Sequence, residues 1–89
     1  MRITVDISMY PLAEDYKPAI KKFIHTLRTF AGLQIVTNQL STQVNGDFDD
    51  VNAALTQCMR EVMQAPQKVV FVARYVNSDL DVSSAPDLS

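Results

Sequence analysis

One cysteine, one histidine, two glycines and no tryptophan occur among the 89 residues. A lone thiol, Cys58, closes no intramolecular disulfide, which suits a reducing compartment and points to the cytoplasm. A metal site needs clustered ligands, and His25 and Cys58 fall on separate segments. Neither stands beside the base and orienting group that nucleophilic catalysis requires. Charge of one sign is never blocked: 8 basic and 10 acidic residues are spread along the chain, for a net charge of -2. Phosphate backbones and anionic lipid therefore meet no positive field, so neither nucleic acid nor membrane is an expected partner. Apolar runs are short, and Val69-Val70-Phe71-Val72-Ala73 falls far below the roughly 20 residues of a membrane span. Alternation begins almost at the first residue, with no apolar leader, so export is not expected. No cofactor is called for.

What is present is one domain's worth of alternating and helical patterns. Ordering about 75 residues at about 1.5 kcal/mol each costs on the order of 110 kcal/mol, which burial in so short a chain only just offsets. Further burial against a partner subunit is expected. From Arg2 to Tyr10, Ile3, Val5, Ile7 and Met9 alternate with Thr4, Asp6, Ser8 and Tyr10, the pattern of a strand with one buried face. Pro11 should end it. Ile20, Phe23, Ile24, Leu27 and Ala31 fall at helical spacing, with Pro18 in the first turn, Glu14 and Asp15 at the positive end of the dipole and Gly32 closing the C-terminus.

Leu33 to Thr37 and Leu40 to Asn45 read as two strands of a hairpin turning at Asn38-Gln39. Asp47 then caps a second helix with the stripe Val51, Ala54, Leu55, Cys58, Met59 and Val62, and Pro66 stops it. The acids Asp47, Asp49 and Asp50 suit that helix start better than a calcium loop, which needs a later glycine and a distal glutamate. Gln67 to Tyr75 is a last strand, apolar enough on both faces to suggest burial on both. The domain spans residues 1–78, and residues 79–89 form a polar tail that is loose or lies on a neighbour. The order β-α-β-β-α-β, with two helices able to cover one face of four strands, predicts an α+β ferredoxin-like sandwich with an antiparallel sheet.

On the uncovered face the last strand would place Lys68, Val70, Val72 and Arg74 beside Thr4, Asp6, Ser8 and Tyr10 of the first. Covering the valines gains about 25 cal/mol per Å², so this face is the expected contact of a homo-oligomer, a dimer or tetramer. An RNA-binding sandwich would carry stacking aromatics and bases there, and its motif is missing. A phosphate-holding sandwich of the acylphosphatase kind needs an arginine in the first strand-helix loop, where Tyr10 to Asp15 supplies only acids and neutrals.

The most informative stretch is Thr37-Asn38-Gln39-Leu40-Ser41-Thr42-Gln43-Val44-Asn45-Gly46-Asp47, which gathers amides and hydroxyls, uncharged up to its final aspartate, on a hairpin. An amide such as Asn38 can answer an exocyclic amine and a neighbouring ring nitrogen together, as it does on adenine. Ser8, Ser41 and Thr42 could satisfy a hydroxymethyl group or a second ring nitrogen, and Tyr10 offers a face for stacking or for a cationic ring. The same residues equally suit a plain turn and ordinary strand.

With Ser8-Met9-Tyr10-Pro11-Leu12, the Thr-Asn-x-x-Ser-Thr stretch and the Gly-Asp before the second helix, the chain resembles the YkoF-like family of thiamine- and hydroxymethylpyrimidine-binding proteins from about Ile3 to Leu80. The resemblance implies a ferredoxin-like fold, pairing of domains through their sheets and non-catalytic binding of thiamine or its hydroxymethylpyrimidine precursor. It implies ligand contacts at Ser8, Tyr10, Asn38, Ser41 and Thr42. Three or four neutral hydrogen bonds at about 1 kcal/mol each and one stack correspond to micromolar or weaker affinity. The rival readings are an assembly or regulatory module without a ligand, and an enzyme acting on the pyrimidine. The second lacks a general base, Asp6 being the only carboxylate near the proposed site.

Overall fold

In a computed structural model describing residues 1–89, six elements follow in the order β1 (Arg2–Pro11), α1 (Lys17–Leu27), β2 (Gln34–Thr37), β3 (Thr42–Asp47), α2 (Phe48–Met63) and β4 (Val69–Val76). The four strands form one antiparallel sheet in the order β2-β3-β1-β4. This is the ferredoxin-like sandwich, with both helices on one face.

The period-2 pattern of β1 sets the layers. Ile3, Val5 and Ile7 turn to the helices and are buried with Val44 of β3, Phe23 and Leu27 of α1, and Val51, Ala54, Leu55, Cys58 and Val62 of α2. Each large side chain so buried contributes about 1.5–3 kcal/mol. The stripe of α2 sits where its spacing predicts, and Asp47 caps it by accepting the Asp49 N–H at 3.2 Å. Gly46 is set opposite Ile3 on the helix side, and a Cβ there would meet Leu33 Cδ2 at 2.7 Å and Val51 Cγ2 at 3.3 Å. That close approach explains why Gly-Asp opens α2.

Helix α1 is shorter than its apolar spacing suggests. It starts at Lys17, after Glu14 and Asp15, so its first turn holds no acid, although Pro18 does lie in that turn. It ends at Leu27, where Thr29 and Phe30 close two tighter turns onto Thr26 and Leu27. Gly32 is not its cap: it turns the chain into β2 with φ +81°. The hairpin also differs from expectation. Asn38 Oδ1 accepts the N–H groups of Leu40 and Ser41 at 3.0 and 3.1 Å, which takes both residues out of β3 and widens the turn to Asn38–Ser41.

Pro11 is tolerated inside β1 for a reason visible in the register. Leu12 donates to Lys68 O at 2.9 Å, so the alternation aims Pro11 away from β4, toward a side on which β3 has already ended opposite Ile7. Strand β4 is an edge strand, half-buried on the helix side only at Val69 and Phe71. Val70 and Val72 are 45% and 50% exposed, where the sequence suggested burial on both faces, because nothing within one chain covers them. The tail begins by folding back on the sheet: Thr4 Oγ1 donates to Ser78 O, Leu80 N–H donates to Thr4 Oγ1, and Arg2 pairs with Asp79 at 2.7 Å.

Candidate functional site

Strand β1 outruns β3 by four residues, and this mismatch opens a notch in the sheet. The hairpin turn bounds one side of the notch, β1 from Ile7 to Pro11 the other, and α1 closes the back. The result is a cleft of about 400 Å³, within the range of small-molecule sites. Its apolar wall comes from Ile7, Met9, Ile20, Phe23 and Ile24, and its polar rim from Ser8, Thr37, Asn38, Gln39, Ser41 and Thr42. None of the fifteen lining residues carries a charge at neutral pH. All five residues singled out in the sequence, Ser8, Tyr10, Asn38, Ser41 and Thr42, are among them.

Their hydrogen bonds divide them. Thr42 is nearly buried, on the helix side of β3 beside Ile7, and its hydroxyl lies 3.2 Å from that of Thr37. Two hydroxyls sharing one hydrogen bond leave a second proton to offer to a guest. The amide of Asn38 is engaged within the hairpin at both ends, Oδ1 by the turn and Nδ2 by donation to Gln43 Oε1 at 3.3 Å. In this arrangement its oxygen shapes the rim and has no room for a guest donor, while one Nδ2 proton stays unpaired. Ser41 donates to Asp6 Oδ1 at 2.6 Å and accepts from Gln43 Nε2 at 2.8 Å. Tyr10 is half-exposed at the mouth, as is Tyr16 at the entry to α1. The sequence reading missed Thr37, Gln39, Tyr16 and the α1 wall, and a helical stripe of Ile20, Phe23 and Ile24 gives no sign of which end stands over a notch.

Behind the rim, the outer row of the sheet carries a polar network. Asp6 accepts from Ser41 and Gln43 on one oxygen and from Arg74 on the other, the last at 2.6 Å. Partial burial pushes the Asp6 carboxyl up, but the donations of Ser41, Arg74 and Gln43 and the charge of Arg74 outweigh it and hold the group below its ordinary value. It stays an acceptor and fixes Ser41. Away from the cleft, His25 is exposed on α1, and burial, with Glu61 nearby, pushes the Cys58 thiol up to about 11. No helix is long and apolar enough to cross a membrane.

Fold and cleft together define a ferredoxin-like domain with a small uncharged cleft at its hairpin. The chain belongs to the YKOF-related family, whose pattern matches residues 2–78. No functionally curated protein matches it in sequence. Among solved structures it is similar to a protein of Streptococcus pneumoniae, at 21% identity and TM-score 0.80 over 93% of this chain and 94% of that one. A hypothetical protein of Methanocaldococcus jannascii is similar at 22% identity and TM-score 0.76, over 86% and 80% of the two chains. A third, from Thermotoga maritima, is described as a candidate thiamine biosynthesis or salvage protein and is similar at 20% identity and TM-score 0.73, over 97% and 90%. Likeness at these identities speaks for the fold.

Proposed function

We propose that this domain binds thiamine or its hydroxymethylpyrimidine precursor in the hairpin cleft and holds it without changing it. The observation that carries this reading is the chemistry of the lining: an apolar wall, a rim of hydroxyls and amides, and no charged side chain. A neutral aminopyrimidine is an apolar disc with a hydrogen-bonding edge, and such a lining matches both parts. Family membership and the Thermotoga neighbour's thiamine description support the same choice. The cleft has no imidazole or carboxylate on its wall to act as a base, which favours storage or delivery over turnover.

The domain works as a homo-oligomer in the cytoplasm, pairing through the open sheet face. Support comes from Val70, Val72 and Val76, which stand exposed on the outer row of β4. That patch also favours the second reading, an assembly module with no small ligand. Titration calorimetry with hydroxymethylpyrimidine, thiamine and a pyrimidine lacking the amine separates the two. The binding reading expects saturable heat with the first two and weaker heat with the third. An intact oligomer giving no heat with any of them overturns it in favour of the assembly module, and chemical conversion of the ligand during incubation overturns the non-catalytic part.

A further inference from the structure

The notch exposes more than side chains. Between the end of β3 and the start of the β1–α1 loop, the main chain of β1 is paired on one side only. Tyr10 and Leu12 direct their peptide groups to β4, as the donation from Leu12 to Lys68 O shows, so Met9 and Pro11 direct theirs to the other side. There the β1–β3 ladder stops at Ile7 and Thr42. Leu40, which would come next opposite Met9, gives its N–H to Asn38 Oδ1 instead. Met9 and Pro11 both line the cleft.

We propose that this short strand edge, and not the Asn38 amide, is the main hydrogen-bonding element for the ring: Met9 N–H donates to a ring nitrogen and Met9 C=O accepts from the adjoining exocyclic amine. The proposal rests on reading the cleft as a small-ring site and specifies how that site selects. Three features of the notch favour it. Asn38 Oδ1 already accepts two turn N–H groups and one Nδ2 proton goes to Gln43, so the amide has one donor and no free acceptor to offer, whereas the edge of Met9 has lost its ladder partner. Proline at position 11 removes one N–H, so the edge offers one donor and two acceptors, a set that suits a guest with one acceptor and an amine of two N–H groups. The same proline denies a ladder bond to any incoming strand, so an extended peptide is the poorer occupant. The hydroxyl pair of Thr37 and Thr42 then lies on the far side of the notch, placed for a substituent such as hydroxymethyl.

The test uses the ¹⁵N-labelled full chain titrated with 4-amino-5-hydroxymethyl-2-methylpyrimidine. The expected result is a saturable downfield shift of the Met9 amide proton with slowed hydrogen exchange, while the Asn38 side-chain NH₂ pair stays in place. Met9→Pro, which removes the donor without breaking a ladder bond, should weaken binding about fivefold to tenfold relative to Met9→Ala, which trims the same wall side chain and keeps the N–H, the value of one neutral hydrogen bond. A ring that saturates the cleft with the Met9 amide unmoved and the Asn38 NH₂ pair shifted overturns the proposal and leaves the binding reading standing. No perturbation of any cleft residue at saturating ligand overturns both. Because the shift is read on the native chain, the proposal is decided even where Met9→Pro fails to fold.

Discussion

The hydroxyl of Ser41 donates to the carboxylate of Asp6 at 2.6 Å, which ties the hairpin turn to the outer row of β1. With Gln43 and Arg74 completing the set, the open face of the sheet and the rim of the cleft share one network.

Asp6→Asn should therefore loosen the rim and lower stability at neutral pH by about 1 kcal/mol, through weaker hydrogen bonds and a lost, largely exposed ion pair. The pH dependence has a definite sign. The folded carboxyl lies below its ordinary value, so its contribution is full above the unfolded pKa and disappears as pH falls through the folded one. Denaturant titrations of both proteins should differ at neutral pH and converge in acid, once the folded carboxyl is protonated. A difference that persists in acid would assign the effect to packing.

Asn38→Ala removes the acceptor that holds the N–H groups of Leu40 and Ser41. It should cost about 0.5–2 kcal/mol, in the manner of a lost cap, and weaken ligand binding by loosening the turn. Asn38→Asp keeps that acceptor but loses the donation to Gln43 Oε1, and should restore most of the stability. Denaturation of the pair checks this: an aspartate variant no more stable than the alanine one would mean that the acceptor does not hold the turn.

Gly46→Ala places a methyl group 2.7 Å from Leu33 Cδ2 and against Val51. The leucine tip can shift but is packed against the core, so a loss of about 1–3 kcal/mol is expected by denaturation, with the fold retained. An unchanged midpoint would mean that β3 and α2 approach less closely than described.

Much of this was legible in the sequence, and the exceptions share a cause. The strand alternation of Ile3, Val5 and Ile7 and the stripe of α2 could be read because burial imposes periodicity over many residues. The limits of α1 and β3 could not, because Asn38 Oδ1 and the tight turns after Leu27 act locally and override the pattern. The five candidate residues line one cleft, whose cause, β1 extending beyond β3, depends on strand register that no single stretch encodes. The polar rim announced itself, whereas the peptide edge of Met9 had no side-chain signature.

Val72→Glu places a charge in the middle of the exposed row Val70, Val72 and Val76. Light scattering should find the parent chain as an oligomer and the variant shifted toward monomer, because an uncompensated charge is costly to bury in an interface. A parent chain that is monomeric at micromolar concentration would remove the sheet-face pairing.

The uncharged lining predicts selectivity against phosphate esters. Thiamine diphosphate should bind no more tightly than thiamine, since the cleft has no lysine, arginine or histidine to answer its charge. Competition between the two in a calorimeter decides this, and a clear preference for the diphosphate would point to a site elsewhere.

The binding proposed for this domain requires that the notch beside β1 receive a small heterocycle. A crystal structure of the chain soaked with the hydroxymethyl aminopyrimidine tests it most directly. A flat ring is expected in the cleft, its amine edge toward Met9 and its hydroxymethyl group toward Thr37 and Thr42. An empty cleft at saturating ligand, or the ring bound on another surface, would contradict it.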